Sequence, residues 1–209
     1  MMRRSLAAAV SCAALVLGIA GCATGEPGST ETSSVPSAPT TVDILTTKDR
    51  TMVIDDGERP PQLCVGGVSE SLPPQCAGID LEGWDWNAVG DHEQRGNVRW
   101  GEFVVSGEYS AADNVLRVTA TSAEGTGPGH TAAPCTEEPR ESADPSSIER
   151  VGGFIEEDLG VRVFFAGDDP PCRSARFGVA YDDGSVQSAV DSKFGAGTVI
   201  VESALVPAR

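Results

Sequence analysis

Aromatic side chains are scarce in this chain: 5% of 209 residues, with three Trp, two Tyr and six Phe. Basic residues are scarce as well. Fifteen Lys and Arg stand against 31 Asp and Glu, a formal net charge of −16. That shortage excludes a nucleic-acid binder, whose affinity comes from neutralising phosphates. It also excludes electrostatic docking on anionic lipid. Histidine is limited to His92 and His130, and no Cys-x-x-Cys spacing occurs. Neither a zinc ligand set nor a redox-active cysteine pair is therefore expected. No Gly-x-Ser-x-Gly turn, His-Glu-x-x-His helix, phosphate loop or dinucleotide fingerprint is present, so no cofactor is implied. No apolar run reaches the about 20 residues that a membrane-spanning helix needs. What is abundant is Gly (24) and Pro (14), the residues of turns.

The N-terminus reads as an address. Arg3 and Arg4 form a short positive region, followed by an apolar run of 15 residues, Leu6 to Ala20, broken only by Ser11, Cys12 and Gly18. This is the h-region of a signal peptide in length and flanks. The run closes on Ile19-Ala20-Gly21-Cys22. A branched apolar residue, two small residues and a Cys resemble the lipobox of bacterial lipoproteins. The resemblance implies a diacylglyceryl thioether on Cys22, cleavage before Cys22, and a mature protein held on the extracytoplasmic face of the cell membrane. Small side chains suit the peptidase, and the thiol is the group the lipid requires. Two or three acyl chains make a stable anchor, at about 0.8 kcal/mol per buried CH₂. Residues 1–21 are thus expected to be the signal peptide. Residues 22–41 hold Pro27, Pro36 and Pro39 among many Ser and Thr, with no apolar period. They are expected to be a disordered tether, because nothing in them offsets the entropy of ordering.

Of six Cys, Cys12 lies in the signal and Cys22 takes the lipid. Cys64, Cys76, Cys135 and Cys172 remain, an even number in an exported chain, which points to disulfides. Four Cys allow three connectivities. Cys64–Cys76 is favoured because both flank a turn-rich loop with Pro73 and Pro74, and Cys135–Cys172 then follows by elimination.

The body reads as α+β in two modules. Residues 42–123 show short β-prone runs: 42–46, 51–54, Leu63 to Val68, then Val98 to Tyr109 and Val115 to Thr121, connected by a hairpin loop at 109–114. A twisted sheet closing toward a small barrel is expected. Residues 124–147 are interrupted by Gly and Pro throughout and read as a loop or linker. Residues 148–209 read as an α-β-β-α-β sandwich. A first helix follows Asp144-Pro145 and ends before Gly160. Strands run at 161–166 and 175–181. A second helix is expected with Ser185 as its cap and Gly195 past its end, before a final strand from Gly197 to Ala204, with Val199, Ile200, Val201 and Leu205 as its apolar residues. With the two disulfides as staples, the fold class is an N-terminal barrel-like β-module followed by this sandwich.

Leu63-Cys64-Val65-Gly66-Gly67-Val68 through Pro73-Pro74-Gln75-Cys76, Gly83-Trp84-Asp85-Trp86 and Trp100-Gly101-Glu102 resemble a group of uncharacterised exported proteins of high-GC Gram-positive bacteria. The likeness covers about 40 residues and implies a recurrent extracytoplasmic β-module. It carries no activity to this chain.

All three Trp lie between positions 84 and 100, with His92 and the acids Asp80, Glu82, Asp85, Asp91 and Glu93 nearby. Trp84, Trp86, Trp100 and His92 are therefore the candidate ligand-binding residues: indoles to stack on sugar, carboxylates for acid–base work. The simpler reading puts Trp84 and Trp86 on one face of a buried strand, with the acids as its solvated edge. It has the advantage that an aromatic-poor chain concentrates large side chains in its core. His130 sits in Gly127-Pro128-Gly129-His130, a poor mount for a catalytic base. The acidic pairs at Asp55-Asp56-Gly57, Asp168-Asp169 and Asp182-Asp183-Gly184 lack calcium-loop spacing and read as turns.

The functional expectation is a lipid-anchored binding or interaction module of the envelope, without catalytic residues. Its partner is another envelope protein or a cell-wall component. A wall-acting hydrolase using the Trp84–Trp100 region is the alternative, and a small solute-binding component the third. Loss of the signal removes Arg3, Arg4 and no acid, so the charge moves from −16 to −18. Such a body is repelled by an anionic membrane, and the lipid on Cys22 must supply the attachment.

Overall fold

Side-chain parity along a few extended runs builds the first half of the molecule. The computed structural model describes residues 43–125, 127, 145–169 and 174–208, within one compact unit from Thr41 to Arg209. Seven strands come first: β1 (Ile44–Thr47), β2 (Thr51–Asp55), β3 (Gln62–Ser69), β4 (Gln75–Glu82), β5 (Glu93–Arg95), β6 (Val98–Ser110) and β7 (Val115–Ser122). The 13-residue β6 is the spine. One side of it pairs antiparallel with β2 and β1 in turn, the other with β5 and then β7. β2 pairs with β3, β3 with β4, and β4 runs parallel to β7. The pairing therefore closes on itself: β2-β3-β4-β7-β6 and back to β2. The strands of this half thus form one sheet whose first and last members meet through β6 and β7.

Successive side chains on a strand point to opposite faces. Odd-numbered Val53, Leu63, Ile79, Phe103 and Val105 all point into the barrel and are fully enclosed. Their even-numbered neighbours Met52, Ile54, Cys64, Cys76, Val98 and Trp100 form a second, outer cluster. Each fully buried Leu, Ile, Val or Phe contributes roughly 1.5–3 kcal/mol. The Cys64–Cys76 disulfide, Cα–Cα 5.6 Å, bridges β3 and β4 on this outer face. Cys135 and Cys172 lie outside the described residues, so one disulfide is observed rather than two. β4 was not expected as a strand. Its Gly78 is required by close approach, since a Cβ there would meet the Leu63 carbonyl.

The second half contributes α1 (Pro145–Gly153), a π-helical turn over Phe154–Asp158, β8 (Val163–Asp169), β9 (Ser174–Val179), α2 (Ser185–Phe194), β10 (Val199–Ser203) and β11 (Leu205–Pro207). The order α-β-β-α-β is as read from the sequence. Three points differ in detail. The first helix gives way to the π turn after Gly152-Gly153, where Leu159 N–H reaches the Phe154 carbonyl. The second helix is capped by the acids before it, not by Ser185. Asp182 accepts the N–H groups of Gly184, Val186 and Gln187, and Asp183 that of Ser185. A carboxylate there answers both the free N–H groups and the helix dipole. The final strand is two strands. β10 pairs parallel with β9, whereas Leu205–Pro207 turns away and pairs with β1 in the barrel sheet. Residues 42–123 and 148–209 thus supply separate sheets except at β11.

The small sheet, ordered β10-β9-β8, lies between two apolar layers. Phe177, Val179 and Val199 face Val151, Ile155, Val186 and Val190 of the helices. On the other side Phe164, Ala180 and Tyr181 join the barrel core. Gly66 of β3 makes that seam close, because a Cβ there would sit 2.7 Å from the Phe164 carbonyl. At the free edge, Gln187 donates to the Val199 carbonyl and accepts from Val201 N–H, covering β10 as another strand would.

Candidate functional site

Gly83, at φ +81°, ends β4 and sends the chain into the turn that carries two indoles. Trp84 and Trp86 are therefore not on a strand, as their spacing predicts. Asp85 accepts the Asn87 N–H at 2.9 Å, and Ala88 N–H reaches the Asp85 carbonyl at 3.1 Å. This Asx turn folds both indoles toward the same core that a strand face would have given them. Trp84 lies edge-on to Trp86 at 5.3 Å and to Phe103 at 5.2 Å. Trp86 is 5% exposed.

One buried carboxylate holds this end of the barrel. Asp55 Oδ2 accepts Trp86 Nε1 at 2.7 Å and Arg99 Nη2 at 2.8 Å. Its Oδ1 accepts Gly57 N–H at 2.9 Å. The Arg99 guanidinium also lies 5.4 Å from the Trp86 ring centre. Asp55 is thus a structural anchor as well as a turn acid, since its bond to Gly57 N–H is that of an Asx turn. Its neighbour Asp56 also serves a turn. The Arg59 guanidinium, bonded at 2.8 Å, holds the Asp56 carboxyl down to about 2, helped by the Glu58 and Arg59 N–H groups.

Trp100 does not join the other two indoles. It has the parity of the outer face and is covered there, 6% exposed, beside Ile54 and Cys64. His92 stands between the two environments, its ring 4.9 Å from that of Trp86. It is exposed, and its Nδ1 lies 3.1 Å from the Gly90 carbonyl. A surface groove of about 390 Å³ is lined by Arg50, Asp91, His92, Glu93, Trp100 and Glu102. Of the remaining acids expected here, Asp80 bonds Gln62, Glu82 pairs with Arg117, and Asp85 holds its own turn. The sequence cluster is thus divided among a core, a groove and three local contacts. His130 and Cys22 lie outside the described residues. Asp168 and Asp169 belong to β8 rather than to a turn. Among the described residues no three His, Cys, Asp or Glu side chains gather as a metal set.

A second cavity, of about 250 Å³, lies at the seam between barrel and sandwich. Tyr109, Asp113 and Asn114 line it from the β6–β7 hairpin, Arg162 from the approach to β8, and Tyr181 from the segment after β9. Asn114 takes φ +55° to close the hairpin, donates to the Gly78 carbonyl at 3.0 Å, and has the Tyr109 hydroxyl 3.3 Å from its Oδ1. Burial pushes the Tyr109 hydroxyl above its ordinary range, and the Arg162 charge pulls it part of the way back. Sequence reasoning missed this set. Its residues come from three separated segments with no shared motif, although both tyrosines of an aromatic-poor chain are among them.

No family model, curated protein or solved structure matches this chain. Barrel connectivity alone assigns no activity, and function must be argued from sites.

Proposed function

We propose that this protein is a lipid-anchored binding module on the extracytoplasmic face of a bacterial cell membrane, without catalytic activity of its own. The observation that carries the reading is Ile19-Ala20-Gly21-Cys22 closing a 15-residue apolar run after Arg3-Arg4. The Cys64–Cys76 disulfide supports an oxidising compartment. The body is expected to engage another envelope protein or a cell-wall component. Cys22→Ala should leave the precursor unprocessed or release the protein from the membrane fraction. A variant still processed and sedimenting with membranes would refute the anchor.

The hydrolase alternative draws on the groove that brings His92 beside Glu93 and Glu102. Two facts weigh against it. Trp86 and Trp100, two of the indoles meant to stack on sugar, are enclosed, and the acids Asp80, Glu82 and Asp85 are drawn off to Gln62, Arg117 and a local turn. Trp84 is a half-buried member of that apolar cluster. The solute-binding alternative lacks two lobes in the described body, whose layers share one seam.

A further inference from the structure

The seam cavity brings together an unpaired guanidinium, a carboxylate and both tyrosines. Arginines elsewhere in the body are mostly engaged: Arg59 with Asp56, Arg99 with Asp55, Arg117 with Glu82 and Glu108. Arg162 lines the cavity and has no hydrogen-bond or salt-bridge partner among the described residues. A guanidinium presents a planar fork of donors that matches a carboxylate. On the barrel side, Asp113 accepts the Ser110 hydroxyl through Oδ2 at 2.9 Å, which leaves Oδ1 without a hydrogen bond among the described residues. Tyr109 and Tyr181 add aromatic surface to the lining, of a kind that favours ammonium groups as well as apolar ones.

The charges select the ligand. A simple anion would meet Asp113 and a body of net charge −16. A simple cation would meet Arg162. A neutral sugar would answer both with hydroxyl hydrogen bonds but bring no opposite charge to either. A molecule with a carboxylate at one end and an ammonium at the other satisfies each. The volume, about 250 Å³, falls below the 300–1,000 Å³ of drug-sized sites and suits one or two amino-acid residues. We propose that the seam cavity bounded by Tyr109, Asp113, Arg162 and Tyr181 binds a small zwitterion of amino-acid to dipeptide size, its carboxylate on Arg162 and its ammonium on Asp113. This deepens the binding-module reading, on which it rests, by naming a ligand class.

Calorimetric titration of the full-length lipidated protein in detergent tests it. The probes are alanyl-alanine, N-acetyl-alanyl-alanine and alanyl-alaninamide. Alanyl-alanine should bind one to one, and blocking either end should weaken binding about tenfold, the value of one charge-assisted contact. Arg162→Gln should reduce dipeptide binding by about the same factor and abolish the preference for a free carboxylate. Asp113→Asn should abolish the preference for a free ammonium. Both positions are exposed, so far-UV circular dichroism should match the parent. No saturable binding up to about 10 mM, equal binding of either blocked dipeptide, or unchanged binding by Arg162→Gln would each overturn the proposal. The readout is separate from anchoring. Dipeptide binding with a failed Cys22 test would remove the membrane assignment and keep the site, and the converse would remove the site alone.

Discussion

Asp55 is the residue whose loss should cost this fold most at the polar end of the barrel. Its carboxylate is buried and accepts from Trp86 Nε1, Arg99 Nη2 and Gly57 N–H. Asp55→Ala strands the indole N–H, whose bond to a charged acceptor is worth about 1.5–3 kcal/mol. The Gly57 bond adds about 1 kcal/mol. The Arg99 pair is discounted to below about 1 kcal/mol, because its side chain is 37% exposed and can rehydrate. The sum is about 3–4 kcal/mol, or roughly 6–16 °C in melting temperature for a body of this size. Asp55→Asn is the sharper test. One oxygen faces Trp86 and Arg99 and the other faces Gly57 N–H, so every partner is a donor. An amide must turn its NH₂ toward one of them, and no orientation satisfies all three. The near-isosteric Asn is therefore expected to lose at least about 2 kcal/mol. Urea unfolding followed by Trp fluorescence, with the disulfide intact, reads both variants. If Asp55→Asn unfolds at the parental midpoint, the carboxylate is not the anchor described here.

Three further outcomes are expected. The Cys64–Cys76 double serine variant, opening a loop with a sequence separation of 12, should be less stable by about 3 kcal/mol on chain-entropy grounds; an unchanged urea midpoint, or one insensitive to reductant in the parent, would contradict this. Gly78→Ala should be far more damaging than Gly178→Ala, because a Cβ at 78 meets the Leu63 backbone, whereas at 178 it meets the partly exposed Phe165 ring, which can swing away; equal melting temperatures would refute the distinction. Arg59→Ala should raise the Asp56 carboxyl from about 2 toward the ordinary carboxylate range in an NMR titration. The folded-state value is depressed, so the linked stability is present above the unfolded-state value and is lost as pH falls toward about 2. Both side chains are solvated, and that contribution is small. A titration midpoint that does not move would show that Arg59 is not the cause.

Much of the secondary structure was legible because its signals are local. Val98 to Tyr109 and Val115 to Thr121 alternate over enough residues to be read as strands. Val186, Val190 and Phe194 recur at helical spacing before Gly195. The Cys64–Cys76 pair was favoured from the turn residues between its members. β4 was not legible, since Ala77 and Gly78 interrupt its apolar alternation and its strand character comes from pairing with β3 and β7. Trp84 and Trp86 were correctly suspected of facing inward, yet for the wrong local reason. Spacing by two also describes an Asx turn that begins at Asp85. The proximity of Trp100 in sequence misled, because parity places it on the opposite face of the sheet from Phe103 and Val105.

The chain by itself determined where most strands and both helices form, since alternation, helical spacing and turn residues act over neighbours. The address proposed at Cys22 rests on the same local level. Tertiary structure decided which faces meet. Closure of β7 onto β4, the return of Leu205–Pro207 to β1, the burial of Asp55 and the meeting of Arg162 with Tyr109 and Tyr181 all join segments tens of residues apart. No local propensity specifies such meetings, because their free energy appears only when the apolar faces close on one another.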